Sequence, residues 1–342
     1  MEVAFRFLNR SDVESLLPST EVLLDTVEQG LRAHGAGDVV LPPKSHIQLD
    51  DRFNGHFNVL PGWVAPTGVA SGAAGWAGVK VVGDYVDNWR VGLPSEVAML
   101  LLADPKTGAP RALMDATVLT WLRTGAVTAV GAKYLARPDS SVVAHLGARG
   151  TAFSNLRFLS TLFPLKEVRI VSKRVETRER LAERVQRELA LTARAVASAD
   201  EAVDGADIVI EATRLEQPEV LIRDAALKPG ALLVTYGWVM AVDPDLPRRV
   251  DKLVVDDWEQ CRHGGQLHPL IARGDLGHEH VHAEIGEIVT GARAGRETPD
   301  KRILFWHRGF AISDIVLGAR LLAEAERQGV GTMLSLLEAR EE

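Results

Sequence analysis

One stretch limits the fold more than any other. An apolar run, Val142–Leu146, leads into Gly147-Ala148-Arg149-Gly150-Thr151 and then into a helical pattern from Thr151 to Phe163. A buried-type strand, a glycine turn and a helix in that order are the opening of a mononucleotide-binding unit. The glycine turn lets backbone approach a pyrophosphate, and the helix start offers free N–H groups. The match to G-x-G-x-x-G/A is imperfect: Gly147 and Ala152 fit, but Arg149 occupies the second glycine place. Gly150 can restore the close approach, and Arg149 can meet a phosphate directly.

The chain beyond this helix keeps the alternation. Strands are expected at Glu167–Ser172, Ala206–Glu211, Ala231–Tyr236 and Lys252–Val255, with a helix at Glu176–Glu188. Strands separated by helices predict a parallel sheet of right-handed crossovers. The second strand ends Ser172-Lys173-Arg174, with no acid to bind ribose hydroxyls. A small polar residue followed by two cations suits a 2′-phosphate, which favours NADP(H) over NAD(H).

The chain before Thr117 has a different texture. A helix is expected from Asp12 to His34, then strands at Ser45–Leu49, His56–Leu60, Val79–Val82, Val97–Leu102 and Ala112–Met114. Turn signals at Asp50-Asp51, Asn54-Gly55 and Asp104–Gly108 separate them, giving an α+β unit of antiparallel character. A long helix from Thr117 to about Ala136 stops at Arg137-Pro138, and a last helix, Ile312–Gln328, is placed to return to the front unit. The fold class expected is α/β: a Rossmann-type parallel-sheet domain, residues 125–302, inserted in an α+β dimerisation and substrate domain, residues 1–124 and 303–342.

Composition excludes several classes. A net charge of −7 argues against a nucleic-acid partner. The single cysteine, Cys261, allows no intramolecular disulfide and no cysteine-based zinc site. No apolar run approaches the roughly 18 residues of a membrane helix, so no membrane partner is expected and a cytoplasmic location is. His278, His280 and His282 have the spacing of a ligand pair on a strand, but no third ligand is evident. They are read as a solvated loop before a helix at Ala283–Ile288, with no metal.

The residues together resemble the ornithine cyclodeaminase/mu-crystallin family over nearly the full length. The matching segments are Gly78–Lys80, Gly92–Pro94, Asp104–Gly108, Leu119–Ala126 with its Thr120, Arg123 and Thr124, Ala206–Val209 with Thr213, Lys228–Gly230 and Phe305–Asp314. The resemblance implies a homodimer with a small imino, keto or amino acid as substrate. It implies that Lys80 and Arg123 hold the substrate carboxylate, Arg by a bidentate fork and Lys as a point charge, with Lys44 in a place where many members have Arg. It also implies that Ser95, Thr124, Thr213, Tyr236 and His307 line the cofactor, beside Gly147, Arg149, Gly150, Thr151, Ser172, Lys173 and Arg174.

Two departures redirect the chemistry. Cyclodeaminases of the family carry an Asp two residues after the glycine matched by Gly237, whereas this chain has Val239. Valine neither accepts a proton nor binds an ammonium. Asp243 is the nearby substitute, with capping beside Pro244 as its plainer role. His307 stands where members have Ser, as an acid or base near neutrality or as cofactor packing. Tyr236, Trp238, Trp306 and Phe310 are expected to make the pocket bulky and apolar. The expected function is NADP(H)-dependent reduction of an imino or keto acid to an amino acid. The alternatives are an ammonia-releasing cyclisation that uses Asp243, and a non-catalytic NADP-bound ligand carrier.

Overall fold

The computed structural model describes residues 2–49, 53–68 and 74–338. The chain divides into two compact units, Met1–Arg123 with Phe310–Glu342, and Thr124–Gly309.

In chain order the first unit begins with β1 (Val3–Leu8), α1 (Arg10–Ser15), α2 (Thr20–Gly35), β2 (Val39–Val40), β3 (Ser45–Gln48), β4 (Gly55–Val64), β5 (Trp76–Tyr85), β6 (Glu96–Ala103) and β7 (Pro110–Asp115). The single helix expected over 12–34 is two. Pro18 cannot continue a helix, and Ser19 starts a new one by accepting a hydrogen bond from Val22 N. Strand β1 was not expected, since VAFRFL carries a charge and its partners β7 and β16 lie far along the chain. The turn expected at Asp50-Asp51 lies outside the described residues.

Helix α3 (Thr117–Leu135) carries the chain onward to β8 (Val142–Leu146), α4 (Ala152–Leu162), β9 (Glu167–Val171), α5 (Val175–Leu189), β10 (Thr192–Ala195), α6 (Ala199–Val203), β11 (Ile208–Glu211) and β12 (Leu232–Thr235). Then come α7 (Leu246–Arg249), β13 (Lys252–Val255), α8 (Trp258–Cys261), α9 (His268–Ala272), β14 (Val281–Glu284), α10 (Ile285–Thr290) and β15 (Ile303–Trp306). These strands form one sheet in the order β10-β9-β8-β11-β12-β15-β13-β14, and every pairing in it is parallel. This is a Rossmann-like sheet. Strands β11, β12, β13 and β15 are buried throughout, as a sheet covered on both faces demands. The order reverses beside β8, so the crevice at its carboxyl end is the place for a ligand. Near the end of this unit the 277–282 segment is a short 3-10 turn and then β14, so α10 begins at Ile285 rather than Ala283.

The chain closes with α11 (Ala311–Gln328) and β16 (Thr332–Leu337), both in the first unit. The first unit's sheet runs β16-β1-β7-β6-β5-β4-β2, with β3 paired to β4. Helices α2 and α11 pack on each other, and α11 lies on β4, β5 and β6. Strand alternation sorts the side chains: Ala98, Leu100 and Leu102 of β6 are buried, whereas Val97, Met99 and Leu101 are exposed. Three glycines let α11 sit close to the sheet. A Cβ on Gly62 would lie 3.1 Å from Ala311 Cβ, one on Gly78 3.0 Å from Ile315 Cγ1, and one on Gly318 2.4 Å from Leu100 Cδ2. No helix among the described residues is long and apolar enough to cross a membrane.

Candidate functional site

Two groups of the expected residues come together, one in each unit. In the first unit, Lys80 sits in β5 on the same face as Gly78, two residues away, and is 0 % exposed. Its Nζ lies 2.8 Å from each carboxylate oxygen of Asp314 and donates to Thr120 Oγ1 at 3.3 Å. Arg123, one turn beyond Thr120 on α3, brings its Nε 3.4 Å from Asp314 Oδ1. Burial, with the Arg123 charge beside it, pushes the Lys80 ammonium down to about 8, although Asp314 and Glu96 act the other way. The directly touching groups are therefore two cations and one anion in a desolvated place. Lys44 is half-buried in the loop before β3, and Ser95 precedes β6, its carbonyl accepting from Tyr85 N at 2.8 Å.

In the second unit, Gly147 ends β8 with φ of 100°. A Cβ there would lie 2.6 Å from Ala212 O, so the turn requires glycine both for its backbone angle and for its closeness to the chain after β11. Gly150 has φ of 55° with open space beside it, and Arg149 is exposed. Thr151 is the N-cap of α4, yet its hydroxyl makes no cap hydrogen bond and pairs instead with Tyr236 Oη at 2.7 Å. The N-cap side chain thus leaves the helix start uncapped, with Ala152 N donating to Arg149 O at 3.2 Å.

Behind the turn runs a polar chain that sequence reading missed. Asn155 Nδ2 donates to Tyr236 Oη at 2.6 Å and lies 2.9 Å from His145 Nε2, and His145 Nδ1 is 2.7 Å from Gly147 O. Burial holds His145 down at about 4, so it is neutral, donating from Nδ1 to the carbonyl and accepting at Nε2. The Tyr236 ring lies 4.7 Å from the ring of His307, whose Nε2 is 3.0 Å from Thr128 Oγ1. Thr124, the first residue of this unit, is buried on α3.

Lys173 and Arg174 are exposed past the end of β9. Ser172 is partly committed: its Oγ donates to Arg174 O at 3.0 Å and lies 3.0 Å from Thr177 Oγ1, shaping the start of α5. Thr213 is held by Glu211, a fully buried carboxylate. Glu211 Oε1 accepts from Thr213 N and Oγ1 at 2.8 and 2.5 Å, and Oε2 from Thr235 Oγ1 and Gln266 Nε2 at 2.8 and 2.5 Å. Asp243 caps its own turn, with Oδ1 accepting from Asp245 N at 3.0 Å. Trp306 departs from expectation. It is fully buried in the hydrophobic core of the second unit, because β15 is a central strand with both faces covered. Trp238 is 47 % exposed, with the Arg308 guanidinium 5.2 Å from its ring. His282 Nε2 bonds Ala294 O at 2.9 Å, and His280 Nδ1 accepts from Gly277 N at 3.0 Å.

Of the other groups in these contacts, Glu211, His145 and Asn155 had no sequence signal beyond being polar within apolar runs, whereas Asp314 closes the matching segment Phe305–Asp314 but was given no role.

Comparison with known proteins bears on both groups. A sequence profile described as the ornithine cyclodeaminase/mu-crystallin family matches residues 4–329. The chain is 30% identical over 331 residues to an alanine dehydrogenase of Archaeoglobus fulgidus, covering 96% of this chain and 97% of that protein. Among solved structures, Thermococcus litoralis Δ1-pyrroline-2-carboxylate reductase, in complex with NADH and L-proline, superposes with a TM-score of 0.88 at 31% identity, covering 96% of this chain and 99% of that one. An archaeal alanine dehydrogenase dimer with bound NAD gives 0.87 at 28%, covering 98% and 100%.

Proposed function

The chain belongs to the ornithine cyclodeaminase/mu-crystallin family, and we propose that it reduces an imino acid, or the imine that a keto acid forms with ammonia or an amine by loss of water, to the amino acid with a nicotinamide cofactor, NADP(H) ahead of NAD(H). The observation that carries this is the buried contact set of Lys80, Arg123 and Asp314. Lys80 and Arg123 touch a single anion, Asp314, while Glu96 acts on Lys80 through its charge alone, so a substrate carboxylate supplies the two buried cations with a second contact partner.

The nucleotide fits the second unit. Gly147 to Thr151 with the start of α4 would hold the pyrophosphate, helped by Arg149, and Lys173 and Arg174 would hold the 2′-phosphate. When bound, the nicotinamide supplies the hydride. The protein's own residues then have three tasks. Lys80 and Arg123, with Lys44, fix the carboxylate and so the direction in which the C=N carbon is presented. The desolvated setting strengthens that hold. Tyr236, buttressed by Asn155 and Thr151, keeps the pyrophosphate turn and the end of β12 in register. A protonated imine needs no strong acid, which agrees with Val239 and with an Asp243 engaged in its own turn.

The first unit is the substrate-binding and dimerisation domain in this proposal, and the second the nucleotide domain. Support for a homodimer comes from the face of the first sheet opposite α11, where Val81, Val97, Met99 and Leu101 are exposed side by side. A relative's structure is a dimer. The occupant proposed is a second copy of this chain.

The test is oxidation of NADPH and NADH with a panel of cyclic ketimines and of 2-oxo acids plus amines. The expected result is NADPH consumed one-for-one with amino acid formed. Ammonia released from a diamino acid with no net change in NADPH would overturn it.

A further inference from the structure

An acid in the first turn of a helix ordinarily faces that helix's own free N–H groups. Asp314, in the first turn of α11, instead reaches into the sheet and is 0 % exposed. Both its oxygens lie 2.8 Å from Lys80 Nζ, and Oδ1 also faces Arg123 Nε at 3.4 Å. The close seat of α11 on Gly62 and Gly78 makes this reach possible for so short a side chain.

We infer that Asp314 is a positioning residue, holding Lys80 and Arg123 together as a cationic pair that faces the substrate carboxylate. This rests on the reading of the protein as an imino- or keto-acid reductase. The need for such a residue is electrostatic. Two like charges side by side and out of water repel, and the lysine is the one able to escape by losing its proton. The charged groups that face Lys80 are Arg123 from α3, Asp314 from α11 and Glu96 from β6, with the Thr120 hydroxyl. Of the two acids, Asp314 is the one hydrogen-bonded to Nζ, whereas Glu96 Oε2 accepts from Trp121 Nε1 at 3.1 Å. Lys80 Nζ donates to Asp314 Oδ1 and to Thr120 Oγ1, and an ammonium has a third N–H to turn to the substrate. Asp314 itself acts through the two cations and touches neither substrate nor cofactor.

The experiment compares wild type, Asp314→Asn and Asp314→Glu in the full-length protein. The first readout is the ¹³C NMR titration of Lys80 Cε without ligands. The second is the pH profile of NADPH-linked reduction of pyruvate with ammonia. Lys80 is expected to titrate near pH 8 in wild type and at least about one pH unit lower in Asp314→Asn. In that variant KM for pyruvate rises about 30-fold or more with a smaller change in kcat, and the alkaline limb moves to lower pH. Asp314→Glu recovers most of each effect. A Lys80 titration unchanged by Asp314→Asn would overturn the inference, as would a loss confined to kcat with the pH limb in place. Should Asp314→Asn not fold, wild type and Asp314→Glu decide: a Lys80 midpoint below about pH 7 in both, which leaves the lysine neutral beside a carboxylate, overturns the inference. Absence of turnover by wild type on pyruvate and on the ketimine panel would defeat the reductase reading alone, and the NMR titration would still judge Asp314.

Discussion

The two units hold their cations in opposite ways. In the second, Arg149, Lys173 and Arg174 stand exposed on turns at the carboxyl ends of parallel strands. In the first, Lys80 and Arg123 are buried against Asp314 beneath a helix. The difference reflects the ligands proposed. A dinucleotide brings several negative oxygens, and backbone N–H groups at a helix start already receive them, so side-chain cations can remain hydrated and adjustable. A single carboxylate carries one charge, so its partners must be desolvated and fixed in advance to bind it tightly and aim the reacting carbon. Cations of the first kind cost little to keep. Those of the second need a counter-ion.

The largest expected effect comes from breaking the buried pair. Arg123→Met should lower kcat/KM by about 10³-fold, since removing one partner from a buried ionic set costs about 3–5 kcal/mol. NADPH affinity, measured by fluorescence titration, should be nearly unchanged. Gly147→Ala strikes the exposed site through its backbone. With φ at 100° and Ala212 O 2.6 Å from the new Cβ, stability should fall by about 1–3 kcal/mol in urea denaturation and cofactor binding should be lost with it. Lys173→Ala with Arg174→Ala should raise KM for NADPH about 10- to 100-fold, from charge-assisted hydrogen bonds of about 1.5–3 kcal/mol, and leave KM for NADH nearly alone. Equal weakening toward both cofactors would break the assignment of that pair to a 2′-phosphate.

The pH responses should also part. Lys80 titrates at about 8, so substrate KM should climb above that pH as its charge is lost. Its folded-state pKa lies below the unfolded value of 10.5, so the unfolded chain binds more protons between the two. Lys80 therefore adds stability as pH rises from about 8 to 10.5 while activity declines. His145, at about 4 against 6.5, costs stability as pH falls from 6.5 toward 4. Thermal melts of wild type and His145→Gln over that range should converge at the acid end. Smallest in its effect on chemistry, Met99→Glu on the open face of β6 should shift the chain from dimer to monomer in sedimentation.

Strands β8, β9, β11, β12 and β13 were legible because each is a short, largely apolar run, and such local signals survive in sequence, whereas β10 and β14, TARA and VHAE, were not expected. β15 was not legible as a strand, because ILFW is too short to show a period and its place between β12 and β13 depends on a long return of the chain. Residues 12–34 look like one helix because apolar periodicity spans Pro18, where only the break itself resets the register. At the site, Lys80 and Arg123 were found through their motif, but their partner was not. Asp314 is 234 residues from Lys80, so its place at the end of the segment Phe305–Asp314 did not tell which side chains it meets.

The sequence by itself determined the Rossmann-like unit, its glycine turn and the cations Lys173 and Arg174 that come after its second strand, because those are properties of neighbours along the chain. Tertiary structure decided the rest. It placed β15 in the middle of the sheet, hid Trp306 in the core, and seated α11 on glycines so that Asp314 meets Lys80 and Arg123. Burial and counter-charge depend on what folding brings together, and residues far apart in sequence carry no record of that in their own composition.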